Sequence, residues 1–123
     1  MRLRLLDDSY AVCRLDPDAP VPAPPAGAEL WSATRTPAEL SLVLPERDVP
    51  PGARAEPGWR ALEVEGPLDF ALTGILARLT APLAAARVSV FALATYDTDY
   101  VLVPATRLAA AIAALEGAGC VVA

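Results

Sequence analysis

Histidine is missing altogether from the 123 residues of this chain. Without an imidazole there is no Ser-His-Asp triad, and a zinc site would have to be made from cysteine and carboxylates alone. Cysteine is scarce: Cys13 and Cys120 each lie inside an apolar run, which reads as two buried small hydrophobes rather than a disulfide. Positive charge is in deficit, with 10 Lys and Arg against 15 Asp and Glu for a net charge of −5. Nucleic acid and anionic membrane both need a basic patch, so neither is expected as a partner. No long hydrophobic run is present either. The apolar stretch from Leu102 to Ala123 is interrupted by Pro104, Arg107 and Glu116, too punctuated to span a membrane. The opening MRLRLLDDSY alternates and soon meets acids, unlike a signal peptide. A soluble, cytoplasmic protein is expected.

Hydrophobic residues make up 54% of the chain and charged residues 20%, a balance that folds rather than stays disordered. The length allows one ordinary domain or two very small ones sharing a core. Most of the 13 prolines precede residue 68, so the halves differ in texture. In the first half Leu3 and Leu5 alternate with Arg2 and Arg4, and YAVCRL (10–15), LWSATRT (30–36) and LSLVLPE (40–46) read as strands. Thr36-Pro37-Ala38-Glu39 is a short connection that makes 30–46 a hairpin. The segment PDAPVPAPPAGAE carries five prolines in thirteen residues and suits neither an interior strand nor a regular helix. A second irregular link, DVPPGARAEPG (48–58), sets a boundary between a module over 1–58 and another over 59–123.

The second module has another rhythm. RALEVE (60–65) alternates as a strand, and Gly66-Pro67 ends it. Asp69 is a fair N-cap for a helix starting near Phe70, with apolar residues at Leu72, Ile75, Leu76, Leu79 and Leu83. Pro82 should kink or loosen its last turns. RVSVFALAT (87–95) is apolar on nearly both faces and reads as a central strand, and DYVLV (99–103) returns beside it. Pro104 suits the first turn of a second helix with a stripe of Leu108, Ile112 and Leu115. Gly117 and Gly119 stop it, and CVV (120–122) closes the sheet. The order strand, helix, strand, strand, helix, strand implies an α+β, ferredoxin-like βαββαβ unit with both helices on one face of the sheet. Its small core should need covering from the first module or from a second chain, and a homodimer is expected.

Chemistry concentrates in two places. ATYDTDYVLV (94–103) turns on two carboxylates with no glycine. One Asp suits a turn, but Asp99 opens a strand, where Asp is disfavoured. A D-x-D metal site is conceivable, yet no histidine or further nearby acid completes a coordination shell. Gly74 stands near the start of a good helix, at a cost of ~1 kcal/mol against alanine. That is explained by close helix–sheet packing or by backbone approaching a ligand, with the Thr73 hydroxyl beside it. Thr95, Tyr96 and Asp99 can face the first turns of that helix, where free N–H groups attract a carboxylate. N–H donors for a carboxylate and an acid for an ammonium are what a free amino acid needs. Ser89 and Val90 are most simply sheet residues, and Trp31 and Trp59 most simply core or interdomain contacts. No nucleophile–base pair, phosphate-cradling glycine loop or carboxylate dyad is found, which disfavours catalysis. No cofactor is implied.

The stretch GPLDFALTGILARLTAPLAAARVSVFALATYDTDYVLVP, Gly66 to Pro104, resembles the ACT domain, a small-molecule regulatory fold of amino-acid metabolism. Its pattern APLAxAxxSxFxxxTYDTDYxLVP is most similar to small bacterial ACT-domain proteins related to the CASTOR-type arginine sensors. The first half, with WSATRTPAELSLVLPE, looks like their companion module, a shortened, strand-rich ACT-like unit whose first helix is replaced by the Pro-rich loop. The resemblance implies a ligand held between paired ACT modules. It points to Thr73, Gly74, Ile75 and Leu76 at the first helix and to Thr95, Tyr96 and Asp99 on the hairpin, with Ser89 and Val90 offered by the neighbouring module. It also assigns Asp97 to the turn and Asp99 to the pocket. Where the arginine sensors carry an acid in the first helix turn, this chain has Leu72, so a guanidinium would lose one of its two acidic partners. An amino-acid-binding regulatory protein is the expectation, and a structural or interaction module with a vestigial pocket is the alternative.

Overall fold

Proline-broken segments and helix-period segments separate along the chain, and the elements follow that division. A computed structural model describing residues 1–123 orders them as β1 (Arg2–Leu15), β2 (Ser32–Arg35), β3 (Leu40–Pro45), β4 (Arg54–Val64), α1 (Ile75–Ala85), β5 (Phe91–Ala94), β6 (Asp99–Pro104), α2 (Leu108–Gly117) and β7 (Val121–Val122). Two units result, Met1–Asp7 with Arg60–Ala123, and Asp8–Trp59.

In the first of these units the order of elements from β4 to β7 is strand, helix, strand, strand, helix, strand, the α+β ferredoxin-like arrangement. Leu62, Val64, Val101 and Val103 present one face of the sheet to Leu79 and Leu83 of α1 and to Ala111 and Leu115 of α2, all buried in one core. Both helices therefore cover the same face. The spatial order of strands is β7–β1–β4–β6–β5. The closing strand does not reach the rest of the sheet directly. β7 pairs in parallel with the start of the chain, Arg2 opposite Val121 and Leu3 opposite Val122. Met1–Asp7 thereby joins this unit, whereas the sequence boundary had kept it with the first module. Leu3 is fully buried in the core, which gives the insertion its driving force. Arg2 bonds Glu65 at 3.0 Å and Arg4 bonds Glu63 at 3.4 Å, so β1 and β4 run in opposite directions here.

The expectations for the start of α1, the 87–95 strand, Pro104 and the α2 stripe are corrected. Helix α1 starts at Ile75, not near Phe70, because Gly74 holds φ at 76°, a left-handed conformation that cannot continue a helix N-terminally. Asp69 caps a turn instead, its Oδ1 accepting from the Ala71 N–H at 2.8 Å while the Leu72 N–H donates to the Asp69 carbonyl at 3.0 Å. The strand expected over 87–95 shrinks to β5 and lies at the sheet edge rather than its centre. Arg87 at φ 58° turns the chain out of α1, with the Val88 N–H donating to the Leu83 carbonyl at 2.9 Å. Val88 and Val90 reach the helix-side core from this turn, which explains apolar residues on both apparent faces. Pro104 ends β6, and a 3₁₀ turn over Ala105–Arg107 precedes α2. On α2 the fully buried positions are Ala111 and Leu115 rather than Ile112. Pro82 lies inside α1, which runs on to Ala85.

In the other unit β1 pairs β3 antiparallel from Tyr10 opposite Pro45 to Leu15 opposite Leu40. The hairpin β2–β3 runs from Ser32 opposite Val43 to Arg35 opposite Leu40. Its turn is closed by Thr36, whose Oγ1 accepts from the N–H groups of Ala38 and Glu39 at 3.2 Å each. The proline-rich segment forms neither helix nor strand. The Arg35 guanidinium ties it down by donating to the carbonyls of Pro17 and Ala19. Cys13, Ala11, Leu40, Leu42 and Leu44 form the core here, with Trp31 against it. Cys120 belongs to the other core, and both thiols are free.

Candidate functional site

Three backbone segments meet at one end of the ferredoxin-like unit: the irregular stretch 66–74, the first turn of α1, and the hairpin between β5 and β6. The hairpin is built by its threonines. The Thr95 N–H donates to the Thr98 carbonyl at 2.8 Å, and the Thr98 N–H donates to Thr95 Oγ1 at 3.2 Å. Thr98 is buried, and its hydroxyl donates to the Val64 carbonyl at 2.5 Å, anchoring the turn to β4. The Leu68 N–H then donates to the Asp97 carbonyl at 2.7 Å. Gly66 permits this approach, since a Cβ there would lie 3.1 Å from the Asp97 carbonyl oxygen and 3.3 Å from Thr98 Cβ.

A cleft of about 350 Å³ lies between these segments, inside the size range of small-molecule sites. Its walls include Leu68, Phe70, Leu72, Ile75 and Leu76 on one side and Ala94, Thr95, Tyr96 and Asp99 on the other. Phe70 and Tyr96 meet edge to face across the mouth, ring centres 4.9 Å apart and planes at 88°. The register of β5 and β6 sets Asp99 opposite Ala94. Alternation along β6 then turns Asp99 to the same face as Val101 and Val103, the face the helices cover. The N–H groups of Ile75, Leu76 and Ala77 precede the first helical bond, donated by Arg78 to the Gly74 carbonyl at 3.0 Å. Gly74 has no side chain to cap them, so the helix offers N–H donors and partial positive charge to the cleft. Asp69, Asp97 and Asp99 supply negative charge, and no cation is among the lining residues.

Of the positions expected from sequence, Gly74, Ile75, Leu76, Thr95, Tyr96 and Asp99 line this cleft together. Thr73 is exposed next to it and outside its lining. Ser89 and Val90 lie before β5 and outside the lining of the cleft, with Val90 packed against the core. Sequence reasoning missed Leu68, Phe70 and Thr98. Phe70 and Leu72 had been absorbed into a helix that starts later, and Thr98 carries the turn bonding that had been given to Asp97. The repeated Thr flanking YD was the available signal, because Thr hydroxyls bond turn backbone.

A family model described as an ACT domain matches residues 54–117, just over half of the chain, and a family model for an N-terminal domain matches residues 8–52. The cytosolic arginine sensor for mTORC1 subunit 1 of human and of cattle is 37% identical over 59 residues, or 47% of this chain. The chain spans 18% of the length of those curated relatives. A crystal structure of a protein from Agrobacterium tumefaciens aligns over 99% of this chain and 91% of its own, with a TM-score of 0.91 and 33% identity. The regulatory subunit of aspartate kinase from Thermus thermophilus shares the fold over 91% of this chain and 93% of its own, with a TM-score of 0.62 and 14% identity.

Proposed function

The chain belongs to the ACT domain family, and from that premise we propose that it is a non-catalytic regulatory protein that binds a free amino acid in the cleft between α1 and the β5–β6 hairpin. The observation that carries the proposal is the pairing of opposite recognition chemistry across one cleft. The uncapped N–H groups at the start of α1 suit an α-carboxylate, and Asp99, turned to the helix face, suits an α-ammonium. Gly74, Ile75 and Leu76 bring backbone to the carboxylate end, Thr73 adds a hydroxyl beside it, and Thr95 and Tyr96 frame the ammonium end. The kinship with proteins named as an arginine sensor and as a regulatory subunit supports a regulatory role in general.

A homodimer is part of the proposal. β5 has no strand beyond it, and a free edge is a template for pairing with another chain. Two copies joined along β5 about a two-fold would lay the Ser89 and Val90 of one copy near the Thr95 end of the other, because antiparallel partners meet start to end. The shortened module, Asp8–Trp59 once Met1–Asp7 has joined the other unit, then serves as companion to the ACT domain. A thermal-shift screen against the twenty amino acids tests the function. Specific binding raises stability by RT ln(1 + [L]/Kd), about 2.7 kcal/mol at a hundredfold excess over Kd, and an unmoved melting temperature for all twenty would contradict it.

A further inference from the structure

We propose that the amino acid held in this cleft has an apolar side chain, aliphatic or aromatic, rather than a charged one. The proposal rests on the amino-acid reading above and adds the ligand class.

Apolar surface that folding leaves uncovered is concentrated here. The exposed large hydrophobic residues of the chain are six, and four of them, Phe70 at 73%, Leu72 at 53%, Leu76 at 43% and Tyr96 at 80%, line this one cleft. Such residues scattered singly need no account, but a cluster around a concavity marks a surface that a ligand covers. Leu76 lies in the first turn of α1 and stays exposed, whereas Leu72 stands at a helix-period position that α1 does not reach. The left-handed Gly74 keeps the residues before it out of the helix and leaves Leu72 at the cleft wall.

Charge decides between the remaining classes. An acidic side chain would meet Asp69, Asp97 and Asp99 with no cation in the lining. A cationic side chain needs a carboxylate of its own once Asp99 holds the ammonium. Asp69 already accepts from the Ala71 N–H at 2.8 Å, and Asp97 is exposed on the turn, where water screens it. Moving a guanidinium or ammonium against Leu68, Leu72 and Leu76 without a dedicated partner costs its hydration. An alkyl or aryl group gains from the same wall, about fourfold in Kd for each methylene it buries.

Isothermal titration of the full chain with alanine, 2-aminobutyrate, norvaline, leucine and phenylalanine, and with arginine, lysine and glutamate, tests the proposal. Affinity should rise by about fourfold per methylene along the aliphatic series, and the charged amino acids should bind at least about tenfold more weakly than leucine. Leu72→Glu, at an exposed position that the fold tolerates, should weaken leucine by about tenfold or more and strengthen arginine. Arginine or lysine matching leucine on the parent chain would overturn the apolar class and leave the amino-acid reading standing. Silence from every amino acid would remove both. A Leu72→Glu chain with unchanged leucine affinity would take this wall out of recognition and overturn the proposal as well.

Discussion

Replacing Thr98 by valine keeps the shape of the side chain and removes its one donor. Thr98 is 8% exposed, and its hydroxyl bonds the Val64 carbonyl at 2.5 Å. The bond ties the β5–β6 hairpin to β4, and the hairpin carries Thr95, Tyr96 and Asp99 into the cleft. Losing it takes a donor away from a buried carbonyl, which costs about 1–3 kcal/mol, and the extra methyl of valine recovers part of that. A net loss of ~1–2 kcal/mol lowers the melting temperature by about 4–8 °C in a chain of this size. The turn keeps its backbone bond from Thr95 to Thr98 at 2.8 Å, so the hairpin persists but opens more often. Scanning calorimetry reads the first effect, and faster hydrogen exchange at the Thr95 and Thr98 amides reads the second. Thr98→Ser keeps the hydroxyl and should retain most of the stability. A valine variant that melts within a degree of the parent, with unchanged exchange, would refute the anchoring role.

At the ammonium end, Asp99→Asn should weaken the bound amino acid by on the order of 2–3 kcal/mol, roughly thirtyfold to more than a hundredfold in Kd. Asp97→Asn should change affinity little, since the turn is closed by Thr95 and Thr98, and calorimetric titration separates the two. Gly66→Ala forces a Cβ to 3.1 Å from both the Asp97 carbonyl oxygen and the Leu68 amide nitrogen. Those are backbone atoms that cannot swing aside, so urea unfolding should show a loss of about 1–3 kcal/mol. Burial pushes the Cys13 thiol pKa up, which keeps thiolate scarce, and an aromatic disulfide reagent at pH 8 should react slowly with the native chain and fast in denaturant.

Element types were legible wherever one pattern ruled locally. Leu62 and Val64 against Glu63 and Glu65 could only be a half-buried strand, and Leu79 and Leu83 mark the helix stripe that the core takes up. Legibility failed where two local signals competed. Asp69 satisfied the rules for an N-cap, but its carboxylate serves a turn, and the N-cap position of α1 is Gly74, five residues later. The apolar run at 87–95 resembled a central strand because Val88 and Val90 enter the core from a turn, directly ahead of the half-exposed edge strand Phe91–Ala94. No pattern in 120–122 tells which neighbour β7 will choose, and pairing with Arg2 and Leu3 is a long-range outcome of where Leu3 can be buried. In the cleft, Gly74, Ile75 and Leu76 at the helix start and Thr95, Tyr96 and Asp99 on the hairpin were legible as neighbours. Leu68 and Phe70 were not, because an irregular segment has no period to betray which way its side chains face.

The central claim is that a free amino acid occupies the cleft between the start of α1 and the β5–β6 hairpin. Amide chemical-shift mapping by NMR, with the full chain titrated with leucine and then with an equimolar mixture of the twenty amino acids, tests it most directly. Saturable shifts confined to Ile75, Leu76 and Ala77, and to Thr95 through Asp99, are the predicted result. Shifts centred on another surface, or none at millimolar amino acid, would contradict it.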